Sequence, residues 1–267
     1  MRDHAHKRAI VLTSRVHPGE PQASFMLEGA LQFILSEEPL AVELRKNFVF
    51  RIVPMLNPDG VVQGNYRCSL LGCDLNRKWL QPNKFLHEAI YHSKQMIRYL
   101  SWERRVTLYC DMHGHSRKQN VFFYGCNYKN FEQEGRIKNA QLRILPLLCA
   151  HKNPAYSFNG SSFKITKEKE RTGRVVVFRE YNIMNSFTLE CSFHGCHNPE
   201  TNKTTPLTLK DMQNVGKTLV EVLESHLPRE QSNYHHIGSA VLDIFYEEFI
   251  KLVPAHVLKR EKEEKQL

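Results

Sequence analysis

The sequence is most informative at first through what it lacks. Its apolar runs, such as residues 9–12 and 121–124, are short, far below the roughly 18–20 consecutive apolar residues that a membrane-spanning helix needs. No membrane segment is expected. The opening residues Met1-Arg2-Asp3-His4-Ala5-His6-Lys7-Arg8 are polar and run straight into a strand-like stretch, so the apolar region of a secretory signal is missing and secretion is not expected. The seven cysteines are odd in number and show no repeated spacing, which argues against a disulfide framework and for reduced thiols in the cytoplasm. There is no internal repeat and no recognised nucleic-acid-binding motif, and the basic residues are dispersed. Acidic residues are the scarcer sign, 28 against 37 basic, leaving a formal charge of +9. A binder of nucleic acid, an enzyme for acidic substrates and an ordinary solvated surface would all show that excess, so local features must decide.

What is present reads as α/β. Residues 8–14, 48–53, 106–110, 121–124, 174–178 and 186–191 have the β-branched and aromatic content of strands. Helical spacing recurs through Met26, Ala30, Phe33 and Ile34, over residues 86–100, from Met212 to Leu223, and from Val241 to Leu252. Pro54 and the turn Asn57-Pro58-Asp59-Gly60 stop the second strand. Strands alternating with helices predict a mixed, largely parallel central sheet flanked by helices, with function beyond the carboxyl ends of its strands. The mixed-charge ending from Lys259 onward reads as a tail.

Polar clusters fall at such positions. His17-Pro18-Gly19-Glu20 follows the first strand, Asp111-Met112-His113-Gly114-His115 follows residues 106–110, and Glu190 closes the run Phe187-Thr188-Leu189. Arg67 and Asp74-Leu75-Asn76-Arg77 lie between them. A His and a Glu three apart at a strand-to-helix turn, joined by a distant His, form the two-His, one-carboxylate set that leaves zinc an open position. His-x-x-Glu alone is a weak signal, since His197-Asn198-Pro199-Glu200 repeats it in a loop-like stretch. His17 by itself reads more readily as a buried or turn histidine than as a ligand, Asp74 as a turn residue, and Asn76 and Arg77 as a cap and a surface cation; the neighbours of His17 shift that balance. Glu190 resists such a reading, because a carboxylate ending an apolar strand must be at an edge or within a site.

The strings Arg15-Val16-His17-Pro18-Gly19-Glu20, Asn57-Pro58-Asp59-Gly60, Asn65-Tyr66-Arg67, Asp74-Leu75-Asn76-Arg77, Asp111-Met112-His113-Gly114-His115-Ser116-Arg117-Lys118 and Phe187-Thr188-Leu189-Glu190 together resemble the cytosolic carboxypeptidases. These are the branch of zinc metallocarboxypeptidases that trims glutamates from tubulin and other proteins. The resemblance runs from about Ile10 to about Leu223. It implies one zinc ion held by His17, Glu20 and His113, with His113 preferred to His115 because it directly follows Asp-x. It implies Asp74 as the carboxylate that orients His17, Asn76 and Arg77 as the grip on the substrate's terminal carboxylate, Arg67 as the oxyanion-stabilising cation and Glu190 as general base. For the leaving glutamate's side chain Arg174 is the candidate, with Arg171 and Lys164 behind it. The implied partners are glutamate-rich protein tails such as polyglutamylated tubulin, not nucleic acid or membrane, met by a monomer in the cytoplasm, with microtubule association as a further expectation.

Departures from the family pattern are also legible. The family has two further strands and a helix, and a β-rich domain, ahead of His-x-x-Glu, and the 16 residues before His17 leave no room for them. The expectation is therefore an amino-terminally short catalytic domain over residues 1–253 with a charged tail over 254–267. Truncation raises the alternative of an inactive form that binds acidic tails or microtubules; a second enzyme reading, a zinc deacylase of N-acyl amino acids, shares the same ligand pattern. Gly19 stands where digestive relatives have arginine, Phe178 where many have tryptophan, and Tyr156 is a candidate for their mobile tyrosine.

Overall fold

The computed structural model describes residues 7–129, 133–198 and 201–226. The helix expected around Val241 to Leu252 and the charged tail lie outside these residues. Within them the chain builds β1 (Arg8–Ser14), α1 (Pro21–Leu35), α2 (Pro39–Asn47), β2 (Phe48–Val53), α3 (Pro58–Val62), α4 (Glu88–Glu103), β3 (Val106–His115), β4 (Val121–Tyr124), α5 (Gln133–Lys152), α6 (Gly173–Tyr181), β5 (Ser186–Ser192), a small hairpin of β6 (Cys196–Asn198) and β7 (Lys203–Thr205), α7 (Leu209–Glu221) and α8 (Leu223–His226). The main sheet has the order β2-β1-β3-β5-β4, parallel throughout except for β4 against β5. A mixed, largely parallel α/β sheet is what the alternating pattern predicts.

The two faces of this sheet divide the labour. Ala9 and Val11 of β1 and Tyr109 of β3 pack with Trp79, Ile90, Ile97 and Leu100, and with Val176 and Val177 of α6. The register of β1 on β3 shifts between Ala9 and Ile10, and this irregularity lets Val106 and Tyr109, three apart, share that face. From Tyr109 onward the alternation is strict, so Asp111 and His113 continue along the same face and Thr13 joins them as register partner of Asp111. On β5 the apolar Phe187, Leu189 and Cys191 take the opposite face. Phe123 on β4 meets Phe187 there at 5.6 Å and stacks on Tyr156.

Helices α1 and α7 lie side by side, and two glycines set how closely. A Cβ on Gly29 would overlap the backbone of Gln213, and one on Gly216 the carbonyl of Met26. α7 starts with a capping box in which the side chains of Thr208 and Asp211 each bond the other's backbone N–H.

One element differs in type from its sequence reading. Residues 174–178 form the start of α6, not a strand. Gly173 to Phe178 are all buried, so this part of the helix is enclosed and shows no apolar stripe; an enclosed helix and a buried strand give the same continuous apolar run. Thr172 precedes it in extended conformation, and Asn182 ends it in the left-handed region at φ 52°. β3 also runs five residues past the expected end, which puts Asp111, His113 and His115 within the strand rather than after it. His197 lies on β6 of the hairpin.

Candidate metal centre and active site

Three consecutive devices bring His17 and Glu20 to the sheet's carboxyl edge. Arg15 takes a positive φ of 55° directly after β1. Its guanidinium donates to the Pro18 carbonyl and to Ser24 Oγ, both at 2.8 Å, closing the turn. Gly19 donates its N–H to the Tyr66 carbonyl at 2.7 Å, and a Cβ there would press on both the ring and the carbonyl of Tyr66. Pro21 then opens α1, consistent with proline's fixed φ at a first helical turn.

The result is a compact set. His17 Nδ1 is 2.8 Å from one Glu20 oxygen and His113 Nδ1 is 2.9 Å from the other. Gly114 N–H also donates to Glu20 at 3.0 Å. Potential ligand atoms of His17, Glu20 and His113 all lie within 4.8 Å of one another. Each imidazole is held from behind by a carboxylate, His17 Nε2 by Asp74 at 3.1 Å and His113 Nε2 by Asp111 at 2.8 Å. With a metal bound, those carboxylates would keep a proton on each Nε2 and leave each Nδ1 to the metal. Two imidazoles and one carboxylate, braced in this way, fit a zinc ion. His115 stands apart, its Nδ1 accepting from Arg117 and Lys118 N–H and its ring against Phe122.

Charges in the cluster are strongly coupled. Burial alone would raise the pKa of Glu20, but His113 and His17 hold it well below the usual carboxylate range. Asp74 is likewise held low against burial, by His17, Arg67 and Arg77. Burial works to lower the pKa of His113, yet Asp111 and Glu20 raise it well above the ordinary imidazole value.

Glu190 is the exception among the acids. It is the register partner of His113 on the neighbouring strand and of Phe122 on the other side, so its side chain shares the His113 face. It is 9% exposed, and its carboxylate makes no hydrogen bond to the described residues. Burial pushes its pKa up to about 7, with His113 opposing and Glu20 assisting. A carboxylate held near neutrality can both take and return a proton.

The remaining residues surround this pair. Arg67 grips Asp74 Oδ2 through Nε and Nη2 at 3.0 and 2.8 Å, while its Nη1, 4.0 Å from Glu20, donates to none of the described residues. Asn76 is buried beside His113, its Nδ2 3.4 Å from Nε2, and its Oδ1 accepts from Gly173 N–H at 3.1 Å. Because His113 Nε2 is the donor to Asp111, the Asn76 amide NH2 finds no acceptor there and stays free to donate. Arg77 is half-exposed, donating to the Asn76 carbonyl. Arg174 is only 4% exposed; it donates to the Gly125 carbonyl and lies 5.8 Å from the Tyr124 ring. Arg171 and Lys164 are exposed. Tyr156 is buried with its hydroxyl donating to the Val215 carbonyl at 2.8 Å, a position from which it cannot swing into the site. Asp111, inside a named motif but without an assigned role, proves to brace His113; its place two residues earlier on one strand puts it on the same face and is the signal that could have found it.

A largely parallel α/β sheet thus carries, at its carboxyl edge, a His-x-x-Glu turn and a distant strand histidine that together could hold a metal ion. A family model described as zinc carboxypeptidase matches residues 2–247, and the chain belongs to that family. It is 47% identical over 196 residues to cytosolic carboxypeptidase 1 of Mus musculus, covering 70% of this chain and 16% of that one. With cytosolic carboxypeptidase 2 of Xenopus tropicalis the identity is 44% over 231 residues, 86% of this chain and 23% of that one. The chain thus spans less than a quarter of the length of these relatives. Its fold is similar to that of a metallo-carboxypeptidase from Burkholderia cenocepacia, with TM-score 0.70, 22% identity and coverage of 85% of this chain and 59% of the other. It is more distantly similar to a succinylglutamate desuccinylase from Chromobacterium violaceum, with TM-score 0.54, 15% identity and coverage of 84% and 66%.

Proposed function

We propose that this chain is the catalytic centre of a zinc metallocarboxypeptidase that removes glutamate, C-terminal or side-chain-linked, from acidic protein tails such as polyglutamylated tubulin. The observation that carries the reading is a buried carboxylate, Glu190, set on the strand beside a His17–Glu20–His113 cluster as the register partner of His113. When bound, zinc supplies Lewis acidity that polarises the scissile carbonyl and lowers the pKa of a coordinated water to about 7. Glu190 accepts a proton from the attacking water and returns it to the leaving amine. Arg67 Nη1 donates to the oxyanion that forms on the carbonyl, while its other two contacts to Asp74 keep the guanidinium in place. Asn76 Nδ2 and the Arg77 guanidinium hold the terminal carboxylate. An internal peptide offers no such group, so the reaction is confined to chain ends. Relatives with the word cytosolic in their names support a cytoplasmic setting, and the surplus of basic residues suits an acidic partner.

The test is release of free glutamate from a glutamate-tailed tubulin peptide by the zinc-loaded chain, with a small N-acylated amino acid as the competing substrate. Peptide turnover that vanishes in Glu190→Gln is expected. Turnover that survives the substitution contradicts the mechanism, and preference for the N-acyl amino acid would favour a deacylase.

A further inference from the structure

The two imidazoles of the centre are braced by carboxylates in different surroundings. Asp74, behind His17, is reached by the half-exposed Arg67 guanidinium and by the Asn76 N–H. Asp111, behind His113, is fully enclosed. Among the described residues two side chains donate to it, His113 through Nε2 to Oδ2 at 2.8 Å and Thr13 through its hydroxyl to Oδ1 at 2.7 Å. Neither is a lysine or an arginine, so the carboxylate behind His113 is held by a neutral hydroxyl where the one behind His17 is held by a cation.

Thr13 is itself supported. It is the register partner of Asp111 on β1, and Tyr109 stands two residues before Asp111 on β3, so the three side chains lie on one face of the sheet. The Thr13 hydroxyl is 3.3 Å from the Tyr109 hydroxyl. Its single proton goes to the carboxylate, the nearer and charged acceptor, so the Tyr109 O–H donates to Thr13 Oγ1. Tyr109 is fixed in turn, its ring edge-on to Trp79 with centroids 5.9 Å apart and its hydroxyl beneath Gly173, where a Cβ would overlap it. Gly173 is the residue whose N–H holds Asn76. Donors therefore run from Tyr109 to Thr13 to Asp111, all three without exposed surface, and in such an interior each hydrogen bond polarises the next.

We propose that Thr13, backed by Tyr109, is a positioning residue for the metal ligand His113, acting through Asp111. A carboxylate bonded at one oxygen can turn about its Cβ–Cγ bond, whereas one bonded at both cannot turn without breaking a contact. By occupying Oδ1, Thr13 presents Oδ2 to His113 Nε2, and the imidazole then carries its Nδ1 to the Glu20 side of the ring. Threonine suits the task, because its branched Cβ leaves χ1 little freedom on a strand. Without the hydroxyl a buried anionic oxygen is unpaired. The carboxylate is then free to turn toward the Asn76 NH2, which lies 3.4 Å from His113 Nε2, and Oδ2 leaves the imidazole. This inference rests on the reading of the centre as a zinc site and is independent of which peptide is cleaved.

The experiment measures zinc affinity by chelator competition for the unsubstituted chain, Thr13→Val, Thr13→Ser and Tyr109→Phe, with the melting temperature of each metal-free form beside it. Valine keeps the shape and removes the hydroxyl, and affinity should fall about tenfold, the lower end of the range for groups behind a ligand. Thr13→Ser should restore most of it. In the cobalt(II)-loaded chain each ligand imidazole contributes one exchangeable, hyperfine-shifted N–H proton signal, and Asp74→Asn, which disturbs the His17 brace, tells the two apart. The His113 signal should shift and exchange faster in Thr13→Val while the His17 signal stays. A merely structural loss would lower the metal-free melting temperature and leave both signals in place. If Thr13→Val does not fold, Tyr109→Phe decides by the same signal, which should move in the same direction by less. An unchanged zinc affinity or an unmoved His113 signal in the folded variant overturns the inference while the zinc reading stands. An unsubstituted chain that binds no zinc overturns both.

Discussion

Asp74 offers a sharp perturbation because four contacts end on one carboxylate. Its Oδ1 takes His17 Nε2 at 3.1 Å and Asn76 N–H at 2.9 Å, and its Oδ2 takes Arg67 at 2.8 and 3.0 Å. In Asp74→Asn the remaining oxygen can keep the Oδ1 contacts, but an NH2 group then faces the Arg67 guanidinium, and two donors cannot bond each other. His17 loses a charged acceptor that makes its Nδ1 a better ligand, and Arg67 loses its anchor. Loss of such a bracing carboxylate weakens metal affinity about 10- to 100-fold, or about 1.4–2.7 kcal/mol. Competition with a chromophoric zinc chelator at fixed pH measures it, alongside the melting temperature of the metal-free form to separate affinity from folding. Zinc affinity within a factor of two of the unsubstituted chain, with folding unchanged, would refute the reasoning that Asp74 tunes His17.

Three further outcomes follow from the same geometry. Gly216→Ala should destabilise the chain by about 1–3 kcal/mol through overlap with the Met26 carbonyl, read from chemical denaturation; an unchanged midpoint would mean that α1 and α7 are not so close. In the metal-free chain, Glu20 and Asp74 are held below their ordinary values, so their stabilisation is present above the usual carboxylate range and is lost as the pH falls through and below it. Melting temperature should therefore drop below about pH 4, and more gently in Asp74→Asn. For turnover, Glu190 must be ionised, and burial has raised it to about 7. A bound cation opposes that rise, so the acid limb of kcat/KM should lie at or below about pH 7 and disappear from the residual activity of Glu190→Gln.

Much of this site was legible because its residues sit in short contiguous motifs at strand ends. His17 and Glu20 share one turn, Asp74, Asn76 and Arg77 one 3-10 turn, and both His113 and Glu190 lie near the carboxyl ends of strands. Type was hardest to read where burial was complete. Residues 174–178 carry three valines and a phenylalanine, and with every side chain enclosed no helical stripe survives to oppose the strand reading. α2 and α5 were also missed. α2 is brief, beginning at Pro39, and α5 contains Pro146, a residue that breaks helices when local propensity alone decides. Tyr156 looked free in sequence, but its hydroxyl is bonded to a carbonyl on α7, a contact 59 residues away that no local pattern announces. Arg174 illustrates the same limit for charge. The sequence marks it, with Arg171 and Lys164, as a cation upstream of the base, and only the fold separates the enclosed one from the two exposed ones.

The account stands most directly on the metal centre. Bound zinc per chain, measured by atomic emission after dialysis against excess metal-free buffer, should be one for the unsubstituted chain and for His115→Ala, and near zero for His113→Ala and Glu20→Ala. Zinc lost from His115→Ala but kept in His113→Ala, or no stoichiometric zinc in the folded unsubstituted chain, would contradict it.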